Sequence, residues 1–451
     1  MWRVAGVRNR RAIRWLRSQL PELVASGVIS SENARAIDGY YEHDQPRVNF
    51  AFVILAALGS ALVAAGIILL IAHNWDDLSR ATRAGVAFLP LLIAQALVVF
   101  TLMRRNESRP WREAAAIFDV AAVATAISLI SQTYQVQGTF ADFMRTWLLL
   151  SIVIVYLLRT SLGVIAYVIG CVLWLFARWG PASSAGNPLL FWFLLTLVIP
   201  YVAIRFRSDC DSRETATLVI TVALAAMFGV GATADFADAN VGAIAYAGLA
   251  TAIYLCGIKF FPQPAGRLHL LALLGGIAIG VVTIVLSFES NWHMTYRVAS
   301  VPRTSAANLA VVVELLFPIA AVCLASFDLL RRRAEFSLSA ALFPIVTAIA
   351  WAITHLCEFP NDRWRSTRCS FAAGTVMNCY ALLLGIDILA RGIRTNSIAR
   401  ANFGLLLIAA LAICRFFDND LSFVARGVGF IIVGVGFLVA NLLLFKRRTA
   451  S

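Results

Sequence analysis

The amino-acid sequence predicts an all-α, polytopic helical membrane protein. Of its 451 residues, 60% are hydrophobic and only 14% are charged, whereas about 25% of the residues in a soluble domain are charged. The hydrophobic residues form blocks of the length that a helix needs to cross a bilayer, which is roughly 17–25 residues. Lipid admits only helices and closed barrels, and these blocks have the length of helices.

About 14 transmembrane helices are predicted from these blocks. Two of the blocks, 146–158 and 401–414, are short for a span, and a tilt or an extension into their flanks would accommodate them. The blocks lie at 50–72, 84–103, 114–132, 146–158, 161–178, 188–204, 215–233, 240–258, 268–287, 307–327, 337–356, 370–390, 401–414 and 422–445.

Positive charges predict the orientation of the chain. The net charge is +13, but the Lys and Arg residues lie in short clusters between the blocks, which is typical of topology control by the positive-inside rule. This pattern does not indicate a phosphate-binding face, so we expect no nucleic-acid partner. Placing most of the 38 Lys and Arg residues inside puts both termini in the cytoplasm. The location expected for such a protein is the bacterial inner (cytoplasmic) membrane, as a multi-pass protein.

The chain is predicted to contain three segments. They are a cytoplasmic amphipathic helical hairpin at 1–48, a transmembrane helical bundle at 49–445 and a basic cytoplasmic tail at 446–451.

In the hairpin, residues 10–26 form an amphipathic helix with a kink or restart at Pro21. Residues 27–29 form a turn, and Ser30 or Ser31 caps the second helix. Two interpretations are equally open: an Arg-rich face that meets anionic lipid, and a solvated helix pair with no role in lipid binding.

The third block contains the most unusual polar residues of the chain. Asp119 lies inside it, and Ser128, Ser131, Gln132 and Gln135 follow at spacings that place them on one helical face. Polar groups inside a span are costly and therefore informative. The face is either the wall of a polar cavity that opens outward or a hydrogen-bonded seam between helices.

Other polar residues lie at span ends on the same predicted outer face. Together they could bind a sugar or phosphate head group, whereas interfacial anchoring is the better interpretation for any single one of them. The candidate outer-face site comprises His73, Asn74, Trp75, Asp76, Asp119, Gln132, Tyr134, Asp142, His355, Glu358, Arg415 and Asp418.

Two further pairs are candidates for chemistry within or near the membrane. Glu314 and Asp387 lie deep in their blocks and could form an intramembrane ion or proton pair. Cys357 and Cys369 flank one loop and are candidates for a disulfide if that loop lies in an oxidising compartment.

Metal and cofactor motifs are not found in the sequence. His355 and Glu358 are three residues apart on one helix face, but no second motif of this kind appears, so we expect no metal centre. No phosphate-binding loop, nucleophile elbow or dinucleotide-binding fingerprint occurs at the required spacing. We therefore expect no cofactor, and an enzyme is less favoured than a non-enzyme.

Several fragments resemble one family. In the first third these are Gly27-Val28-Ile29-Ser30, Ile71-Ala72-His73-Asn74-Trp75-Asp76 and Ser131-Gln132-Thr133-Tyr134. They resemble the bacterial predicted-membrane-protein family called domain of unknown function 2157. Near the end, Asn402-Phe403-Gly404, Arg415-Phe416-Phe417-Asp418 and Arg426-Gly427 are similar to the C-terminal ends of its long members. The resemblance implies an inner-membrane location and no particular activity.

Three functions remain open at this point. The first and favoured one is a transporter- or flippase-like protein with a polar site open to the outer (periplasmic) face, whose partners are membrane lipids and a lipid-linked or small polar substrate. The second is a membrane-embedded transferase acting on a lipid-linked substrate at the outer face, in which the carboxylate of Asp76 or Asp77 acts as a general base or holds a metal-bound phosphate. The third is a non-catalytic scaffold or sensor whose hairpin binds a cytoplasmic partner.

Overall fold

The computed structural model is helical, with no β-strand in the part of the chain that it describes. This confirms the predicted all-α fold. The chain divides into two compact units, Met1–Ser79 and Arg80–Ser451. The first and last predicted spans lie outside the description, apart from a few positions of the last. The described residues are 10–42, 78–177, 188–209, 212–237, 239–261, 269–292, 305–330, 338–356, 363–395, 397–416, 424, 428, 431 and 434–436.

The first unit contains the predicted helical hairpin, α1 (Arg10–Ala25) and α2 (Ser31–Glu42). The turn depends on Gly27, which adopts a φ of 73°, a left-handed conformation that glycine adopts without steric cost. Ser30 is the cap of α2, because its Oγ accepts a 3.1 Å hydrogen bond from the backbone N–H of Asn33. Helix α1 continues through Pro21, so the chain does not restart there.

The second unit contains the remaining helices. They are α3 (Arg80–Arg104), α4 (Arg109–Tyr134), α5 (Phe140–Leu158), α6 (Ser161–Ala177), α7 (Leu189–Thr196), α8 (Ile199–Ser208), α9 (Arg213–Ala237), α10 (Ala239–Phe260), α11 (Leu270–Leu286), α12 (Ser305–Leu330), α13 (Leu338–Ala341), α14 (Phe343–Leu356), α15 (Arg363–Arg394) and α16 (Ile398–Phe416).

Each predicted block in the described ranges corresponds to apolar helix in the structure. Among the described residues, 9 helices are long and apolar enough to cross a membrane, and three shorter apolar helices accompany them. The chain is therefore a multi-pass helical membrane protein. Two blocks are broken: 188–204 divides into α7 and α8 just before Pro200, which has no N–H to donate, and 337–356 divides into α13 and α14 at Leu342. At the break between α7 and α8, the hydroxyl of Tyr156 donates a hydrogen bond to the carbonyl of Leu197. This carbonyl therefore has a hydrogen-bond partner that lipid chains could not provide.

Helix α10 is the centre of the bundle. Its apolar stretch, Val241–Phe260, is 72% buried, compared with 39% or less for the other long described spans. It packs against α9, α11, α12 and α14. Helices α3 to α6 form a separate layer in which each packs on the next, and α6 joins this layer to α9.

Small residues allow the central helices to approach closely. Gly257 of α10 lies against the backbone of Ala272 in α11, and Gly275 of α11 lies against the backbone of Tyr254. Gly248 of α10 meets the backbone of Pro318 in α12 in the same way. Because lipid provides no hydrophobic drive between helices, such close van der Waals packing is a main source of their association.

Candidate functional site

A cavity of about 920 Å³ lies between α3, α4 and α5, next to the loop 135–139. Each helix contributes residues spaced three or four apart, which is one helical face. Beyond the first two turns of α5 this face is apolar and includes Leu150, Val153 and Leu157. The cavity is therefore built from three consecutive spans and the short loop that joins two of them.

The end of the cavity beside this loop is polar. Its lining there includes Ser131, Gln132, Gln137, Thr139 and Asp142. We call these five residues the polar mouth. They come from the last turn of α4, the loop and the first turn of α5. They lie close together because the short loop 135–139 joins the end of α4 to the start of α5.

Helix α4 ends at Gln135, whose φ of 50° and ψ of 43° are left-handed. Helix α5 then starts with a capping box, in which Thr139 Oγ1 accepts from the Asp142 N–H at 3.2 Å and Asp142 Oδ2 accepts from the Thr139 N–H at 3.1 Å. Asp142 also forms a 3.1 Å salt bridge with Arg145. The carboxylate of Asp142 is thus held by its own helix end and has a cation beside it.

Asp119 lines the same cavity far from the mouth. Its side chain is only 3% exposed, and its Oδ1 accepts a 2.8 Å hydrogen bond from Nε2 of Gln95 in α3. At 1.5 Å per residue, Asp119 lies about 15 Å from the Arg109 end of α4 and about 22 Å from the Tyr134 end. The acid is therefore near the middle of a membrane-spanning helix.

Three of the candidate site residues line this cavity: Asp119, Gln132 and Asp142. Ser128 and Ser131 line it as well, so three residues of the predicted polar face lie on a cavity wall, whereas Gln135 is not among the lining residues because the helix ends before it. Thr125, on the same helix, is not among the lining residues. Its hydroxyl donates a 3.0 Å hydrogen bond to the carbonyl of Ala121 within the helix.

Tyr134, His355 and Arg415 lie elsewhere. Tyr134 is 53% exposed at the end of α4, and the His355 ring stacks on Trp351 with their centroids 4.2 Å apart. The guanidinium of Arg415 lies 4.6 Å from the ring centroid of Phe288. The structure thus distributes the candidates over more than one place. His73, Asn74, Trp75, Asp76, Glu358 and Asp418 lie outside the described residues.

The two deep acids have different surroundings. Asp387 accepts from Nε of Arg391, one turn further along α15, at 2.9 and 3.0 Å, and from the hydroxyl of Ser339. Glu314 is fully buried on α12. Asp387 has a cation of its own helix as a partner, and a pairing of Glu314 with Asp387 stays a prediction.

Cys369 is disulfide-bonded, and its partner lies outside the described residues. Cys357 is also outside them, so the predicted pair of Cys357 with Cys369 stays a prediction. The other described cysteines form no disulfide, and they are Cys171, Cys256, Cys323, Cys379 and Cys414.

Two features of the site region were not predicted from the sequence. One is Gln95, the amide partner of Asp119, although a glutamine in an otherwise apolar block is a signal that could have been used. The other is an ion-pair network at the opposite ends of these helices. There Glu214 of α9 accepts from Arg205 and forms a salt bridge with Arg109, each at 2.7 Å, and it also accepts from the hydroxyl of Ser161.

One known protein family is similar to the region of the chain that contains the cavity. Residues 21–163 match the family model described as predicted membrane protein, DUF2157. The DUF2157 match covers the N-terminal third of the chain and includes α3, α4 and α5, hence every residue that lines the cavity. It does not reach residues 402–427, where the resemblance to the ends of long family members stays a prediction. No curated protein and no solved structure matches the chain.

Proposed function

We propose that the cavity between α3, α4 and α5 binds amphiphilic molecules taken from the membrane, and that the protein acts as a transporter- or flippase-like carrier of them. The observation that carries this proposal is a cavity with apolar walls and a polar mouth inside a group of membrane spans. Its volume of about 920 Å³ is within the range of small-molecule sites, roughly 300–1,000 Å³.

The orientation of the mouth supports uptake from the outer face. The loop 135–139 joins α4 to α5, whereas the loop at the other end of α4 is flanked by Arg104, Arg105 and Arg109. The positive-inside rule places that Arg-rich loop in the cytoplasm and the polar mouth on the opposite, periplasmic side. An amphiphile in the outer leaflet could then insert its apolar part along α5.

Substitution of Leu150 tests the proposal. Leu150 lines the cavity and is 54% exposed, so the ring of Leu150→Trp would occupy cavity space without disturbing a packed core. We expect this variant to lose most of its binding of a fluorescent, dansyl-labelled lysolipid, measured by titration of the purified protein in nanodiscs.

Leu149→Trp is the matched control. Leu149 precedes Leu150 on the same helix and is 43% exposed, but it lies about 100° further round the helix, off the cavity face. We expect lysolipid binding like that of the wild type. Equal affinities in wild type, Leu150→Trp and Leu149→Trp would show that the cavity is not the binding site.

A further inference from the structure

We propose that the cavity selects hydrophobic molecules that carry a positive charge, such as lipophilic amines and quaternary ammonium or phosphonium ions, and that the charge binds at Asp119. This inference rests on the proposed function, because it names the substrate class of the same cavity. It follows from the balance of charge on the cavity wall and from the place of Asp119 in it.

The described cavity wall has acids and amides but no cation. The acids are Asp119 and Asp142, and the amides are those of Gln95, Gln132 and Gln137. Lys, Arg and His are absent from the described lining. A phosphate or sulfate group that entered as far as Asp119 would meet a like charge there with no basic side chain in the described lining to bind it, and Arg and Lys are the usual partners of such groups.

The two acids differ in how their charge is balanced. Asp142 has Arg145 at 3.1 Å and two hydrogen bonds from Thr139. Among the described residues, the polar contact of Asp119 is the uncharged amide of Gln95. Of the two acids, Asp119 is therefore the one whose charge a bound ligand cation would balance.

The surroundings of Asp119 make its charge sensitive to a cation. Asp119 is only 3% exposed, and the cavity wall that it shares includes the apolar Val123, Ile154 and Leu157. A carboxylate among apolar groups is costly without a compensating charge, and a nearby cation interacts with it more strongly than in water. A ligand reaches this acid only by placing its charge deep among apolar walls, which excludes strongly hydrated ions and favours lipophilic ones.

Two probes of nearly the same shape and opposite charge provide the test. Tetraphenylphosphonium and tetraphenylborate are measured by equilibrium dialysis against the full-length protein in phosphatidylcholine nanodiscs, and empty nanodiscs give the lipid-bound fraction to subtract. We expect saturable, protein-dependent binding of the phosphonium and no such binding of the borate.

Asp119→Asn removes the charge but keeps an oxygen that can accept the hydrogen bond of Gln95. We expect it to bind the phosphonium about ten- to hundredfold more weakly than the wild type, the range for loss of a charged partner. Asp119→Glu keeps the charge and should retain binding, which separates a charge effect from a folding defect. Glu107→Gln, an exposed position in the α3–α4 loop, should bind as the wild type does.

The outcomes separate this inference from the proposed function. Equal phosphonium binding by Asp119→Asn and wild type, or borate binding as tight as phosphonium binding, would overturn the choice of a cation. The proposed function would survive that result if Leu150→Trp still lost the dansyl-lysolipid. Loss of neither lysolipid nor phosphonium binding in Leu150→Trp would overturn both.

Discussion

Gly275→Ala is expected to destabilise the bundle strongly. A Cβ at this position would lie 2.6 Å from Cα of Tyr254 and closer still to its backbone nitrogen, so α11 would have to move away from α10. Helix α10 is the most buried of the long described spans, and displacement there is transmitted to its other neighbours. Overpacking typically costs about 1–3 kcal/mol, and a clash with backbone belongs at the upper end of that range.

The adjacent glycine provides a matched control. A Cβ at Gly276 would meet Cδ2 of Tyr254 at 3.9 Å, an ordinary van der Waals contact. Gly276→Ala should therefore leave stability unchanged or raise it by about 0.5–1 kcal/mol, because alanine restricts the unfolded chain more than glycine does. The test is to measure the melting temperature and the monodisperse fraction of both variants in the same detergent. A melting temperature of Gly275→Ala equal to or higher than that of Gly276→Ala would refute the close packing of α10 and α11.

Glu214→Ala is the second substitution with a large expected effect. Glu214 is bound by Arg205 and Arg109 at 2.7 Å and by the hydroxyl of Ser161. It therefore ties the ends of α4, α6, α8 and α9 together. Its side chain is 15% exposed, whereas those of Arg109 and Arg205 are 54% and 39% exposed, so solvent screens part of the attraction. After allowing for this screening, we expect Glu214→Ala to lower the free energy of unfolding by about 2 kcal/mol.

The measurement is the melting temperature in detergent, with Glu107→Ala as the control for removal of an exposed acid. Glu214→Gln should lie between the two, since its single amide oxygen can still accept from Ser161 or from Arg205, which donate to different oxygens of the carboxylate, but not from both. A Glu214→Ala protein as stable as Glu107→Ala would mean that the network does not hold these helices together.

The helices could be predicted from the sequence because each depends on its own residues. A block of sufficient length and hydropathy forms a span whatever its neighbours are. The hydrogen bonds and the salt bridge of Asp142 could also be predicted from the sequence. Thr139 and Asp142 have the spacing of a capping box, and Arg145 follows at i+3.

The site was less predictable because it depends on which spans are neighbours. Charge bias assigns span ends to a face of the membrane, but it does not say which ends on that face are adjacent. Asp119, Gln132 and Asp142 line one cavity because they lie on two consecutive spans. His355 and Arg415 are on later helices, and the structure places them away from this cavity. The contact of Gln95 with Asp119 joins two helices and leaves no periodic signal.

A role for the N-terminal hairpin in binding a cytoplasmic partner remains a proposal. The structure supports its two helices and the Ser30 cap. Deletion of residues 1–45 should leave lysolipid binding by the cavity unchanged if the two functions are independent.

The most direct test of the central claim is an electron cryomicroscopy structure of the full-length protein in lipid nanodiscs. We predict non-protein density between α3, α4 and α5 that contacts Leu150 and extends from the polar mouth towards Asp119. A cavity filled by protein density, with no room for a ligand, would contradict the account.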